Sequence, residues 1–351
     1  MGARMLTILA DDLTGAADCG LQAARRGLRT VVALTAATHD AEVVARDLDT
    51  RGGDAGRAYA ATRAALPERG ELYLKIDSTL RGHVGAAIDA ALDAGAGDVA
   101  VVAPAFPAQG RTVTGGRLFA GEEVADLAAL LRAQSRHAAR PGAVIAADAA
   151  SDADLRRVVA ERRADGARVV WVGSAGLAAA LVDALAPGGA PGNLPVAAGP
   201  VLTVVGSAAA PAAAQLAALL ARPGVEAVGA SAAALRRALL AGADPVVHAA
   251  TPDGDLRPEV ARALAAAVAE GCAGDPPAGL VLTGGETARA VCEALGIEAV
   301  ALAGEVEPGV PAGRAVGHPA AIVTKAGAFG DARSLVRAHA ALSARRPCPA
   351  R

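Results

Sequence analysis

Aromatic residues are almost missing from this chain of 351 residues: Phe, Tyr and Trp together make up 2% of it. That scarcity excludes a surface that grips nucleic acid by stacking bases on aromatic rings. Lysine is nearly missing too. Of 34 basic residues only Lys75 and Lys325 are lysines, and asparagine occurs once, at Asn193. With Ala, Arg and Gly in excess, the composition is that of a GC-rich coding sequence. The net charge is -2 and no basic block interrupts the chain. The clustered cations that neutralise nucleic-acid phosphates or hold a membrane surface are therefore lacking.

Long hydrophobic runs are also lacking. The first, Met5–Ala10, is cut off by Asp11 and Asp12, too early for a signal-peptide core, and no stretch reaches the roughly 18 apolar residues of a membrane span. The four cysteines, Cys19, Cys272, Cys292 and Cys348, stand far apart with no CxxC or His-paired spacing. They read as reduced thiols of a cytoplasmic protein, not as a disulfide set or a zinc site.

What is present is an alternation of short β-rich apolar runs with Ala/Leu/Arg stretches of helical length, which predicts βαβ units and mainly parallel sheets. Expected strands are Met5–Ala10, Thr30–Leu34, Glu71–Ile76, Asp98–Ala103, Ala143–Ala147 and Arg168–Val172, with helices over Gly15–Arg26, Ala55–Leu66, Val84–Leu92 and Asp152–Ala164. Ser151 and Asp154 have the spacing of a capping box. Residues 187–200, PGGAPGNLPVAAGP, carry too much Pro and Gly for a regular element and read as a linker between domains 1–186 and 201–345. Beyond it, strands are expected at Val201–Val205, Val225–Gly229, Pro245–Ala249, Gly279–Thr283 and Ala321–Thr324. Helices are expected at Pro211–Ala221, Ala232–Leu240, Pro258–Glu270, Thr287–Leu295 and Ala332–Leu342, and turns at Glu305–Gly317. The fold class is thus α/β, two Rossmann-like domains.

Open α/β sheets bind ligands beyond the carboxyl ends of their strands. The first strand ends in Asp11-Asp12-Leu13-Thr14-Gly15. Paired carboxylates there suit a polyol hydroxyl, a Mg²⁺ or a proton to be abstracted, and equally a helix cap. A second strand ends in Lys75-Ile76-Asp77-Ser78-Thr79-Leu80-Arg81-Gly82-His83. Strand alternation puts Lys75 and Asp77 on one face, and two cations beside an anion suit a carboxylate or phosphate. The segment Ala103–Thr112 holds two prolines in a rigid loop presenting Gln109 and Arg111, while Ser174 and Ser207 follow strands at helix starts. In the second half, Thr283-Gly284-Gly285-Glu286-Thr287 bares backbone N–H groups at a helix start, a phosphate-binding arrangement, and Lys325-Ala326-Gly327-Ala328-Phe329-Gly330 follows another strand. No Walker A loop and no GxGxxG fingerprint occur.

In order, ADDLTGA, KIDSTLRG, APAFPAQGRT, GSAGL, GS, TGGET and KAGAFG resemble the four-carbon acid sugar kinase family, from about Asp11 to Gly330. The resemblance implies an N-terminal substrate domain, a C-terminal nucleotide domain and an active site in the cleft between them. It implies ATP-dependent phosphorylation of the terminal hydroxyl of an acid such as 3-oxo-tetronate, threonate or erythronate. Carried over, it implies ATP contacts at Ser207, Gly285, Glu286, Thr287, Ala288 and Gly327, and a substrate site from Asp11, Asp12, Lys75, Asp77 and Arg81; the reading of the segments themselves adds Gly284 and Lys325 on the nucleotide side and Ser78, Gln109 and Arg111 on the substrate side. Asp49-Thr50-Arg51 looks like a shortened family strand end and adds Arg51. The chain departs from the family at His83, at Ala87, and after Phe119, where a plain helical run over Gly121–Arg140 is expected; all three fall in the substrate half.

In the mechanism this implies, Arg81 and Lys75 hold the substrate carboxylate and hydroxyls. One of Asp11, Asp12 and Asp77, with Asp12 preferred, accepts the hydroxyl proton. Mg²⁺ bridges the ATP phosphates, the Gly284 and Gly285 amides cradle them, and Lys325 neutralises charge. A sugar acid and ATP are the expected partners, a homodimer is plausible on size, and no metal ligand set is legible. Two other classes stay open: a catalytically silent ligand-binding protein on the same fold, and an NAD-dependent oxidoreductase, which the missing GxGxxG disfavours.

Overall fold

The computed structural model describes residues 5–207, 209–249, 258–327 and 329–343. The chain divides into two compact units, Met1–Pro191 and Gly192–Arg351, at a break inside the Gly/Pro-rich stretch.

The first unit runs β1 (Leu6–Ala10), α1 (Leu13–Ala24), β2 (Thr30–Ala33), β3 (Val43–Asp47), α2 (Ala55–Ala65), β4 (Glu71–Lys75), α3 (Val84–Asp93) and β5 (Val99–Ala103). It continues with β6 (Arg111–Thr114), β7 (Arg117–Ala120), β8 (Glu122–Asp126), α4 (Leu127–Gln134), β9 (Val144–Ala146), α5 (Asp152–Ala164), β10 (Val169–Gly173) and α6 (Ala175–Leu185). Seven strands lie in the order β2-β3-β1-β4-β10-β5-β9, all parallel. Strands β1 and β10 are buried along their whole length, as strands covered on both faces must be, which is why they read as unbroken apolar runs. Two of the six aromatics are spent here. Trp171 and Tyr73 are fully buried, and their polar tips are satisfied by Glu71 (Nε1 to Oε2, 3.1 Å) and the Ser174 carbonyl (2.5 Å). Ser151 and Asp154 do form a capping box at the start of α5.

Two expectations for this unit need correction. The apolar core of β3 is only Val43-Val44-Ala45, bounded by charges, and the periodicity missed it. The 121–140 stretch is not one helix: β8 pairs with β7 and β7 with β6 in a small antiparallel sheet, and α4 begins at an Asp126 cap (Ala129 N to Oδ1, 2.8 Å). Gly115, Gly116 and Gly121 adopt positive φ, the turn conformations a hairpin needs and a helix does not tolerate.

The second unit runs β11 (Val201–Val205), α7 (Ala210–Leu220), β12 (Val225–Ala227), α8 (Ala232–Leu240), β13 (Asp244–His248), α9 (Pro258–Gly271), β14 (Gly279–Thr283) and α10 (Gly285–Ala294). It ends with β15 (Ala299–Glu305), β16 (Pro311–Val316), β17 (Ala321–Lys325) and α11 (Ser334–Leu342). Its strands lie in the order β12-β13-β11-β14-β17-β16-β15. The first five are parallel, and β16 runs antiparallel to both β17 and β15. The expected turn region at 305–317 is therefore mostly strand. The turn around Gly309, at φ +77°, reverses the chain between β15 and β16, and Gly317, at φ +80°, opens the turn into β17; Gly313 stays in β16, where a Cβ would lie 2.9 Å from the Ala301 carbonyl carbon.

Candidate functional site

In the first unit β1 is flanked by β3 and β4, with Ala10 level with both Asp47 and Lys75. Three segments distant in sequence therefore leave the sheet side by side. Backbone bonds hold them: Asp11 N–H donates to the Lys75 carbonyl (3.3 Å), and the Asp11 carbonyl accepts from Thr50 (3.0 Å) and Arg51 (3.1 Å). The Arg51 guanidinium spans both acids. Its Nε and Nη2 donate to Asp11 (3.0 and 2.7 Å), and its Nη1 and Nη2 donate to Asp12 (2.7 and 2.8 Å). Asp77 Oδ1 stands 3.8 Å from Arg51 Nη1.

Asp77 is nearly buried and accepts from Arg81 Nε (3.0 Å) and Nη2 (2.8 Å), from the Thr79 amide (3.0 Å), and from the Thr79 hydroxyl. Burial pushes its pKa up, but the bonds from Arg81 and Thr79 and the Arg51 charge overcome it and hold the carboxyl well below the usual range. Ser78 sits half-buried in the turn between them. Lys75 is buried against Gly15, where an added Cβ would stand 2.6 Å from both Lys75 Nζ and Asp12 Oδ1, and its ammonium donates to the Ile76 carbonyl at 2.8 Å. Asp12 also caps α1 through the Gly15 amide (2.9 Å), so the cap and site readings both hold. Two non-glycine residues in the left-handed region, Asp49 at φ +49° and Leu80 at φ +65°, fall in the loops that carry Arg51 and Asp77–Arg81. Such strain is commonly held at functional sites.

Sequence reasoning missed His83 as a fastener. Its Nε2 lies 2.6 Å from the Gly53 carbonyl, tying the Arg51 loop to the start of α3. Gln109 and Arg111 follow β5 at the same carboxyl edge, but Arg111 Nη1 donates to the Gln109 carbonyl and no described bond ties either to the aspartates. Ser174 is neither cap nor open ligand contact: it is buried and donates to the Ala105 carbonyl at 2.9 Å.

In the second unit β11, β14 and β17 lie adjacent, with Val205 level with Thr283 and Thr283 level with Lys325. The GS, TGGET and KAGAFG segments thus meet at one sheet edge. Gly206 packs so closely on Thr287 that a Cβ would overlap the threonine side chain, and Gly327 does the same against the Ser207 hydroxyl. Gly284, at φ +95°, makes the turn into α10.

Three expected roles change here. The Gly284 N–H is spent on the Lys325 carbonyl (2.9 Å), extending the β14–β17 ladder, and the Ala288 N–H on the Gly284 carbonyl (2.8 Å) as the first bond of the helix. The amides that α10 cannot satisfy itself are those of its first turn, Gly285, Glu286 and Thr287. Lys325 does not project toward solvent. Its buried ammonium donates to the carbonyls of Ala326 (2.7 Å), Gly327 (3.4 Å) and Phe329 (2.7 Å), and burial, partly offset by Glu307, pulls its pKa down to about 8. Among the described residues no three His, Cys, Asp or Glu side chains gather to cage a metal ion. No described helix is long and apolar enough to cross a membrane.

Comparison with known proteins agrees with this division. A family model described as a sugar-binding N-terminal domain matches residues 6–130 and 121–181, and one described as a nucleotide-binding C-terminal domain matches residues 202–335. A D-threonate kinase of Cupriavidus necator is 38% identical, over 96% of this chain and 97% of that protein. A D-threonate kinase of Bordetella bronchiseptica is 36% identical over 99% of each, and a 3-oxo-tetronate kinase of Burkholderia multivorans is 29% identical over 93% of this chain and 94% of that protein. A solved structure from Salmonella typhimurium, described as a putative tRNA synthase, shares the fold with a TM-score of 0.81 at 24% identity, over 96% of this chain and 99% of that one. By both domain matches and full-length identity to named kinases, this chain belongs to the four-carbon acid sugar kinase family.

Proposed function

We propose that this protein is an ATP-dependent kinase of a threonate-type four-carbon acid, phosphorylating its terminal hydroxyl, with residues 1–186 binding the acid, 201–345 binding the nucleotide and 187–200 linking them. The observation that carries the reading is the cluster of three carboxylates and three cations at the ends of β3, β1 and β4, a polar site matched to a small polyhydroxy acid. The choice of a threonate-type acid rests on the two full-length relatives at 36–38% identity, both named D-threonate kinases.

Phosphoryl transfer asks the protein for positioning and charge neutralisation more than for covalent chemistry. Arg81, with its side chain 69% exposed, is the cation that receives the substrate carboxylate, while Arg51 and Lys75 balance the charge of the aspartates beside it and Ser78 sits in the turn between Asp77 and Arg81. Of the three carboxylates, Asp12 is the most accessible, its side chain 28% exposed against 15% for Asp11 and 9% for Asp77. Asp77, held strongly acidic, is a poor base, so the proton of the attacking hydroxyl passes to Asp12 as its oxygen bonds to the γ-phosphorus and ADP departs. The first-turn amides of α10 receive nucleotide phosphate, with Ser207, Glu286 and Gly327 beside them. Mg²⁺ spreads the phosphate charge when bound. A cation carried mainly on the nucleotide's own phosphates needs one or two carboxylates and no protein cage, and Glu286, exposed in that first turn, fits the part. The buried thiols Cys19, Cys272 and Cys292 are unpaired, which supports a reducing, cytoplasmic setting.

The test is ADP release with Mg·ATP and a panel of D-threonate, D-erythronate, L-threonate and 3-oxo-tetronate. Turnover led by D-threonate is expected. Release with none of the four would overturn the reading in favour of a silent binding protein.

A further inference from the structure

Lys325 is half of an arrangement whose other half comes from α7. Gln215 is fully buried, and its Nε2 donates to the carbonyls of Phe329 (2.9 Å) and Gly330 (3.3 Å). Four carbonyls of one glycine-rich loop, those of Ala326, Gly327, Phe329 and Gly330, are thus drawn inward onto two buried donors. A side-chain amide turned the other way would set its oxygen against two carbonyl oxygens, so the donor assignment follows from chemistry. The Gln215 oxygen has no hydrogen-bond partner although it is buried. Burying an unmet acceptor costs stability, so a glutamine here is a poor choice if packing alone decides the residue.

The described peptides are all trans, and in a trans peptide the N–H points opposite to the carbonyl of the same unit. Turning the Ala326 and Phe329 carbonyls inward therefore turns the N–H groups of Gly327 and Gly330 outward. Gly327 abuts Ser207, beyond the ends of β11 and β17 and beside the first turn of α10. We infer that Lys325 and Gln215 are positioning residues of the nucleotide site, holding loop carbonyls inward so that loop amides face the phosphates. This rests on the proposed kinase reading and assigns Gln215 a role that neither sequence motif nor family resemblance singles out.

Gln215→Met keeps length and volume, removes the two donor bonds, and also removes the orphaned oxygen. The expected result is a KM for ATP raised about tenfold, with the KM for the sugar acid within twofold of the parent, kcat little changed and Tm held or raised. A merely structural glutamine would give the opposite pattern, a lower Tm with both KM values unchanged, and that result would overturn the inference. Lys325→Arg serves as the second variant, because a planar guanidinium cannot direct its hydrogens at the same three carbonyls from the same depth. It is expected to raise the KM for ATP in the same selective way, and an unchanged KM for ATP in a folded Lys325→Arg protein would count equally against the inference. The kinase reading fails separately: calorimetry showing no ATP binding to the parent protein would remove both.

Discussion

At the scale of single residues, the site is decided by which charges are already satisfied by neighbours. Arg51 is committed to Asp11 and Asp12, Arg81 is committed to Asp77 yet exposed, and Lys75 is buried against Gly15. Asp12→Asn keeps an acceptor for the Gly15 amide but removes the proposed base; kcat should fall by about 10²-fold or more with Tm nearly unchanged, and turnover within a few fold of the parent would remove Asp12 from that role. Gly15→Ala places a Cβ 2.6 Å from Lys75 Nζ and Asp12 Oδ1. Both atoms are side-chain ends that can shift, so the expected effect is a fall in activity as the ammonium and carboxylate are displaced, with little change in Tm; Lys75→Arg should lower activity for want of room, and thermal melts beside initial rates check both. The pairing of Asp77 has a pH signature. Its folded pKa is depressed, so its contribution is complete above the unfolded value of about 4 and is lost as pH falls through the folded value. Tm should decline on acidification below about pH 4, and Asp77→Asn should flatten part of that decline.

At the scale of elements, sequence signals worked where the cause is local. The Ser151/Asp154 box starts α5 because both halves of the cap lie within four residues, whereas the equally local Asp126 cap of α4 went unread inside a stretch expected to be one helix. Ser151→Ala should cost about 1 kcal/mol, about 2 °C in Tm, and leave the KM for each substrate unchanged, which makes it a control for variants at the site. Elements failed to show in the sequence where partners are distant. β3 is short and charge-bounded and exists because it pairs with both β1 and β2. β16 looks like a turn by composition because Gly and Pro mark it, yet its antiparallel neighbours β15 and β17 supply the bonds that hold it as a strand.

At the scale of the whole molecule, each unit gathers its candidate site residues at the carboxyl ends of parallel strands, where the strand order brings remote loops together. A protein that binds ATP and not NAD should show it in melting: Mg·ATP at 100 times its Kd should stabilise by about 2.7 kcal/mol, while NAD at the same concentration should leave Tm unmoved. An NAD-selective shift would reinstate the oxidoreductase reading.

The amino-acid sequence by itself determined the α/β class and the break within 187–200. It also placed the acids and cations that follow β1 and β4 and the glycines that follow β14, because strand periods, Pro/Gly breaks and strand-end motifs are properties of neighbouring residues. Only the tertiary structure decided what those groups do. Lys75 and Lys325, the two lysines left in an arginine-rich chain, both prove to be buried. One is packed against a glycine, and the other is wrapped by the carbonyls of its own loop. The amides of Gly284 and Ala288, attractive in a linear motif, are consumed by a ladder bond and a helix bond. A hydrogen bond has one donor hydrogen to give, and which acceptor receives it depends on strands and helices folded in from far along the chain. The same reason hid His83 and Gln215, whose partners lie 30 and 114 residues away.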